Sequence, residues 1–122
     1  MIIHEIRRIV PNISSNKLDE SRRFYVDFLG LIVVMDMKWI LTFASASNPT
    51  AQISIVHNDK ISTAESPVTL SIEVPDADKL YEKAKLSNYE IIYEITNEPW
   101  GVRRFFVKDP NGVTINIMMH II

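Results

Sequence analysis

The hydrophobic pattern of this chain runs through one cycle and then repeats it, and that repetition limits the folds open to it. In the first cycle, residues 5–13 have strand parity: Ile9 and Ile13 fall on one face, Arg8, Val10 and Asn12 on the other. The stretch SSNKLDESRRFYVDFLG then changes period. Leu18, Phe24, Tyr25, Phe28 and Leu29 form a helical stripe, Ser15 or Asn16 can cap its start, and Gly30 supplies a left-handed end. Residues 31–35 read as a strand, 36–38 as a turn, 39–46 as the returning strand and 51–57 as a further strand.

Residues 58–67 are polar and aperiodic, the grammar of a linker. The cycle then begins again. Residues 68–74 alternate as a strand, Asp76 can cap a helix holding Ala77, Leu80, Tyr81, Ala84 and Leu86, and Asn88 sits where Gly30 sat. Residues 91–95 make a short strand, and 103–108 and 113–119 a hairpin. The expected fold class is α+β: a single domain, 1–122, of two βαβββ repeats (1–57 and 68–122). They form a curved mixed sheet around a cleft, with helices on its outer face. A period of about sixty residues in only two copies is a duplication, not a solenoid. The alignment sets Trp39 against Trp100, Phe43 against Arg104 and Ser54 against Asn116.

The last hairpin fixes which side chains share a face. A type I turn at Asp109-Pro110-Asn111, with Gly112 left-handed after it, sets Lys108 opposite Thr114, Val107 opposite Ile115 and Phe106 opposite Asn116. Phe105, Val107, Val113, Ile115 and Ile117 then point to a core, and Arg104, Phe106, Thr114, Asn116 and Met118 point away from it. A face mixing aromatic, cationic and amide groups suits a ligand groove; an ordinary solvated face is the plainer alternative.

Composition removes several function classes. Formal net charge is −2, and the arginine pairs 7–8, 22–23 and 103–104 are split between faces, so no basic field for nucleic acid is expected. No cysteine is present, which excludes disulfides, thiolate metal sites and cysteine nucleophiles and fits a reducing, cytoplasmic setting. No segment reads as a signal peptide or a membrane span.

ESRRFYVDFLGL after the first strand, and EPWGVRRFFVKDPNGVTINI near the end, together with the two βαβββ cycles, resemble the vicinal oxygen chelate superfamily. That group holds glyoxalase I, extradiol dioxygenases and bleomycin-resistance proteins, and PWGVRRF is most similar to its small bleomycin-resistance and glyoxalase-like members. The resemblance implies a divalent metal held by four side chains from the first and last strands of each half. Here those places fall at Val10 (or Arg8 or Asn12), Ser54 (or Gln52), Thr69 and Asn116, none of them His, Asp or Glu. Neutral amide and hydroxyl oxygens are too weak as a full set for an open catalytic metal. His4, about 20 Å from Val10 along an extended strand, His57 and His120 do not converge on these places.

The expectation is therefore a binding protein with no metal and no cofactor, holding a planar or anionic organic molecule. The candidate ligand-binding residues are Arg8, Asn12, Trp39, Phe43, Gln52, Ser54, Glu73, Trp100, Arg104, Phe106 and Asn116. Aromatic rings would stack on the guest, amides and hydroxyls would orient it, and Arg8 or Arg104 would meet a carboxylate or phosphate. The resemblance also implies a homodimer. Two alternatives stay open: a lyase, isomerase or dioxygenase of the same superfamily, using a displaced metal or Glu73 as base, and a dimeric interaction module without a ligand.

Overall fold

The computed structural model of the chain describes residues 5–60 and 68–121. His4 and most of the 58–67 linker lie outside the described residues. Two compact units are present, Met1–Ile61 and Ser62–Ile122.

The first unit contains β1 (Asn12–Ser15), α1 (Leu18–Arg22), a π-helical continuation (Arg23–Phe28), β2 (Ile32–Asp36), β3 (Ile40–Ala44) and β4 (Gln52–His57). Its sheet has the order β1-β4-β3-β2, with β1 parallel to β4 and the other pairs antiparallel. The second unit contains β5 (Thr69–Glu73), α2 (Ala77–Leu86), β6 (Ile91–Glu98), β7 (Val102–Lys108) and β8 (Thr114–His120), in the matching order β5-β8-β7-β6. Again the first and last strands are parallel and the rest antiparallel. Each unit is thus one βαβββ repeat, and the fold class is α+β.

Strand β1 is shorter than its hydrophobic pattern and begins later. Pro11 has no N–H to give to a ladder, although its carbonyl still accepts from Ser54 N–H at 2.9 Å. Before it, Ile6 and Ile9 are exposed. The expected cap of the first helix is also displaced. Lys17 occupies the N-cap position without a side-chain cap. Ser15 instead ends β1 and accepts the Lys17 N–H at 2.8 Å, while the Ser21 hydroxyl donates to the Lys17 carbonyl at 2.7 Å.

The helix then widens. Leu29 N–H reaches back to the Phe24 carbonyl at 3.0 Å, a five-residue step, and Gly30 (φ +81°) ends the segment. The wider turn sends Phe24, Tyr25 and Phe28 all inward, each 2 % exposed or less. Their rings meet edge-on or tilted at 5.0 and 5.1 Å.

The second unit follows its pattern closely. Asp76 Oδ1 accepts the Lys79 N–H at 3.1 Å and caps α2. Asn88 takes φ +59° and ends the helical stretch as Gly30 does. Tyr81 packs edge-on against Phe105 at 5.1 Å, and Phe105, Val107, Val113, Ile115 and Ile117 are buried as the core face. Leu86 departs from the expected stripe: it is the last residue of α2 and is exposed. The β7–β8 register is the expected one, with Gly112 at φ +82° and Asp109 Oδ1 accepting the Asn111 and Val113 N–H groups at 2.8 Å.

The repeat alignment needs one correction. Ser54 opposes Thr42 and Asn116 opposes Phe106. Thr42 is therefore the counterpart of Phe106, and Phe43 the counterpart of Val107, not of Arg104. The loop between β3 and β4 (45–51) is two residues longer than that between β7 and β8 (109–113), which shifts the third strand. Trp39 consequently aligns with Arg103 rather than Trp100.

Candidate functional site

Period two leaves one face of each sheet open, and the two open faces differ in chemistry. In the first unit Thr42 on β3 and Ser54 on β4 are cross-strand neighbours, and their buried hydroxyls lie 2.7 Å apart. Asn12 on β1 flanks Ser54 on the other side. Gln52 Nε2 donates to the Pro49 carbonyl at 2.8 Å, leaving its oxygen to accept from Arg8 Nη1. Arg8, Val10, Asn12, Thr42, Gln52 and Ser54, with Val34 and Met35, line a groove of about 380 Å³. Four expected residues, Arg8, Asn12, Gln52 and Ser54, therefore come together.

Phe43 does not join them. It is fully buried on the opposite face and stacks on Tyr25 at 5.6 Å, because a one-residue step along a strand reverses the side chain. Trp39 is also outside the groove. It is largely exposed and lines a separate shallow hollow with Lys38, His57 and residues 16–20. Lys38 takes φ +71° in the β2–β3 turn and donates its N–H to Asp36 Oδ1 at 3.0 Å. That bond, with the Arg22 guanidinium at 2.7 Å, holds the Asp36 carboxyl below the usual range.

In the second unit Arg104 is the centre of the open face. Its guanidinium carbon lies 4.9 Å from the Phe106 ring centroid, 5.2 Å from Trp100 and 5.6 Å from Tyr93. Its Nε donates to Glu98 Oε2 at 2.7 Å. The Tyr93 hydroxyl donates to the same carboxylate at 3.1 Å, and its ring meets Phe106 at 4.9 Å. Trp100 reaches Arg104 from the β6–β7 turn, where Gly101 takes φ +87°. The neighbouring Arg103 turns to α2 instead, donating to Asp78 at 2.8–3.1 Å and lowering that carboxyl below its usual range.

Asn116 stands beside Phe106 on β8. Its Nδ2 donates to Ser71 Oγ at 3.1 Å, while its Oδ1 is buried without a hydrogen-bond partner. Glu73, at the end of β5, has Oε2 2.8 Å from His120 Nδ1, and both side chains are more than half exposed.

The residues at the implied metal places do not fit a divalent cation. Val10 offers no donor, Ser54 is committed to Thr42, Thr69 is an exposed strand residue opposite Thr114, and Asn116 offers only one neutral amide oxygen, its Nδ2 being taken up by Ser71. Among the described residues no three His, Asp or Glu side chains converge. His57 lies 2.8 Å from Asp59 and His120 pairs with Glu73. A set of neutral oxygens and an alkyl group lacks the charge and basicity that such an ion requires.

Three contributors escaped the sequence pattern. Thr42 lies one residue from Phe43 and needed the true loop length to be placed. Tyr93 and Glu98 lie on β6, which runs three residues beyond the expected 91–95 and breaks register twice, between Ile91 and Tyr93 and between Tyr93 and Thr96. Bulges of this kind re-aim side chains, so strict alternation cannot assign their face.

The family model described as Glyoxalase/Bleomycin resistance protein/Dioxygenase superfamily matches residues 4–117. The chain belongs to this superfamily. Among solved structures, the bleomycin resistance determinant encoded on transposon Tn5 superposes with a TM-score of 0.75 at 15% identity, over 96% of this chain and 100% of that one. A putative glyoxalase family protein from Bacillus anthracis gives 0.76 at 19% identity, over 98% and 99%. UcmS2 gives 0.79 at 16% identity, over 94% and 98%. At these identities the likeness establishes the superfamily's fold alone. No curated protein matches the sequence.

Proposed function

We propose that this superfamily member is a metal-independent binding protein for a small organic molecule, planar or anionic, held against the open sheet faces. The carrying observation is the make-up of each face: in the first unit an alkyl group and a hydroxyl at the superfamily metal places, with Arg8 in the same groove, and in the second a hydroxyl and an amide at those places, with Arg104 set among aromatic rings. Such groups shape, orient and desolvate a guest without breaking a bond. The likeness to a bleomycin resistance determinant supports the same reading. The exposed apolar side chains on the edge strand β2 (Ile32, Val34 and Met35) support a homodimer. A net charge of −2 gives no attraction for nucleic acid. Among the described residues no helix is long and apolar enough to cross a membrane. A chain without cysteine needs no oxidising compartment for disulfides, which is compatible with a cytoplasmic setting.

The test is a thermal-shift screen of small aromatic acids, amides and natural-product fragments, with and without chelator, beside metal analysis of the purified protein. A binder rises in melting temperature with its ligand by mass action, and chelator leaves the rise unchanged. Stoichiometric nickel, zinc, manganese or iron bound tightly by the chain would overturn the reading.

The Glu73–His120 contact favours a second reading, an enzyme of the superfamily. A carboxylate bonded to one imidazole nitrogen leaves the other free to take a proton. Turnover of a bound ligand, lost in Glu73→Gln, would establish it.

A further inference from the structure

We infer that the open face of the second unit is a subsite for a flat conjugated carboxylate bearing an N–H or O–H donor. This deepens the reading above and rests on it. Arg104 is fixed before any ligand arrives. Glu98 Oε2 holds its Nε at 2.7 Å, and the Phe106, Trp100 and Tyr93 rings lie within 5.6 Å of its central carbon. Its Nη1 and Nη2 make no hydrogen bond among the described residues, although three quarters of the side chain is buried. The outer edge of a guanidinium presents two parallel N–H groups, the spacing of carboxylate oxygens. A side chain already ordered loses little entropy when such a ligand docks.

The same face supplies the remaining contacts. Phe106 and Tyr93 form a tilted aromatic pair one strand step from Arg104, a surface for a flat ring. Asn116, directly opposite Phe106, has its Nδ2 occupied by Ser71 and its buried Oδ1 unpartnered. A buried acceptor without a donor is costly, and a ligand N–H or O–H that reaches it removes that cost. Glu98 sets the charge limit. Its side chain, only 9% exposed, places a negative charge beside Arg104 that repels a dianion such as phosphate more strongly than a singly charged group.

Calorimetric titration of the whole chain with four probes tests this. Indole-2-carboxylate carries both features, indole-2-carboxamide lacks the charge, benzofuran-2-carboxylate lacks the N–H, and tryptamine reverses the charge. Indole-2-carboxylate is expected to bind about tenfold or more tightly than either the carboxamide or the benzofuran. Arg104→Gln and Arg104→Lys remove the preference for carboxylate, the second while keeping the charge and the pairing with Glu98. Asn116→Leu removes the preference for N–H. Glu98→Gln tightens the carboxylate by removing a like charge.

Equal binding of carboxylate and carboxamide overturns the inference. So does tryptamine binding that improves in Arg104→Gln, which would make the aromatic box a cation site occupied by the protein's own arginine. Binding of none of the four probes at millimolar concentration overturns it as well. In each case the wider reading stands if the screen yields a guest of other chemistry, and falls with a tightly held metal or with turnover lost in Glu73→Gln.

Discussion

Replacing Phe43 by alanine separates a packing role from a ligand-binding one. Its ring is fully buried and stacks on Tyr25 at 5.6 Å with 19° between planes, next to the cluster of Phe24 and Phe28. A Phe→Ala change in such a core costs about 3–5 kcal/mol, as lost transfer energy and an unfilled cavity. About 0.5–1.5 kcal/mol of that is the stacked pair itself. With a urea slope of roughly 1.5 kcal/mol per molar, the unfolding midpoint falls by about 2–3 M. The melting temperature falls by roughly 12–20 °C for a chain of this length. Phe106→Ala, on the half-buried open face, costs only about 1 kcal/mol and acts instead on ligand affinity. Urea unfolding of both variants by circular dichroism, beside a binding titration, compares the two faces directly. A midpoint shift below about 0.5 M for Phe43→Ala, coupled with lost binding, would refute the assignment of this ring to the core.

Asp76→Ala removes the carboxylate that accepts the Lys79 N–H, and α2 loses about 1 kcal/mol of stability, read as a lower urea midpoint with an unchanged slope. Lys38→Gly relieves a left-handed backbone at φ +71° and stabilises the fold by up to about 1 kcal/mol, read as a higher urea midpoint; a lowered midpoint contradicts the strain. Asp78 titrates below its usual range because Arg103 hydrogen-bonds it. The pair therefore stabilises the fold at neutral pH, and its contribution disappears as pH falls through that lowered value. Since half of the Asp78 side chain is exposed, the effect is at most about 1 kcal/mol. In melting scans from neutral pH into the acid range, Asp78→Asn is expected to lose less stability than the unmodified chain over that interval.

The βαβββ order, the hairpin register around Asp109–Gly112 and the second core face were all legible in the sequence, because each rests on a local signal. Asp76 caps, Asn88 and Gly112 take left-handed turns, and alternation sorts Phe105 from Phe106. The first unit was less legible. Pro11 truncates the pattern of β1, a helical stripe cannot reveal a π-turn, and the longer β3–β4 loop moves Phe43 across the sheet. At the candidate site, the shared face of Arg104, Phe106 and Asn116 follows from the hairpin. The role of Arg104 changes through Glu98 and Tyr93, which sit on a bulged strand where alternation fails.

Because β8 alternates from Ile115 to Met118, Ile115 and Ile117 are locked into packing while Asn116 and Met118 turn to the other face. Inheritance can therefore rewrite the outward letters one by one without disturbing the neighbours that keep the strand in place. The duplicated halves display the outcome: one scaffold, a hydroxyl couple at Thr42 and Ser54 in the first copy, a ring and an amide at Phe106 and Asn116 in the second.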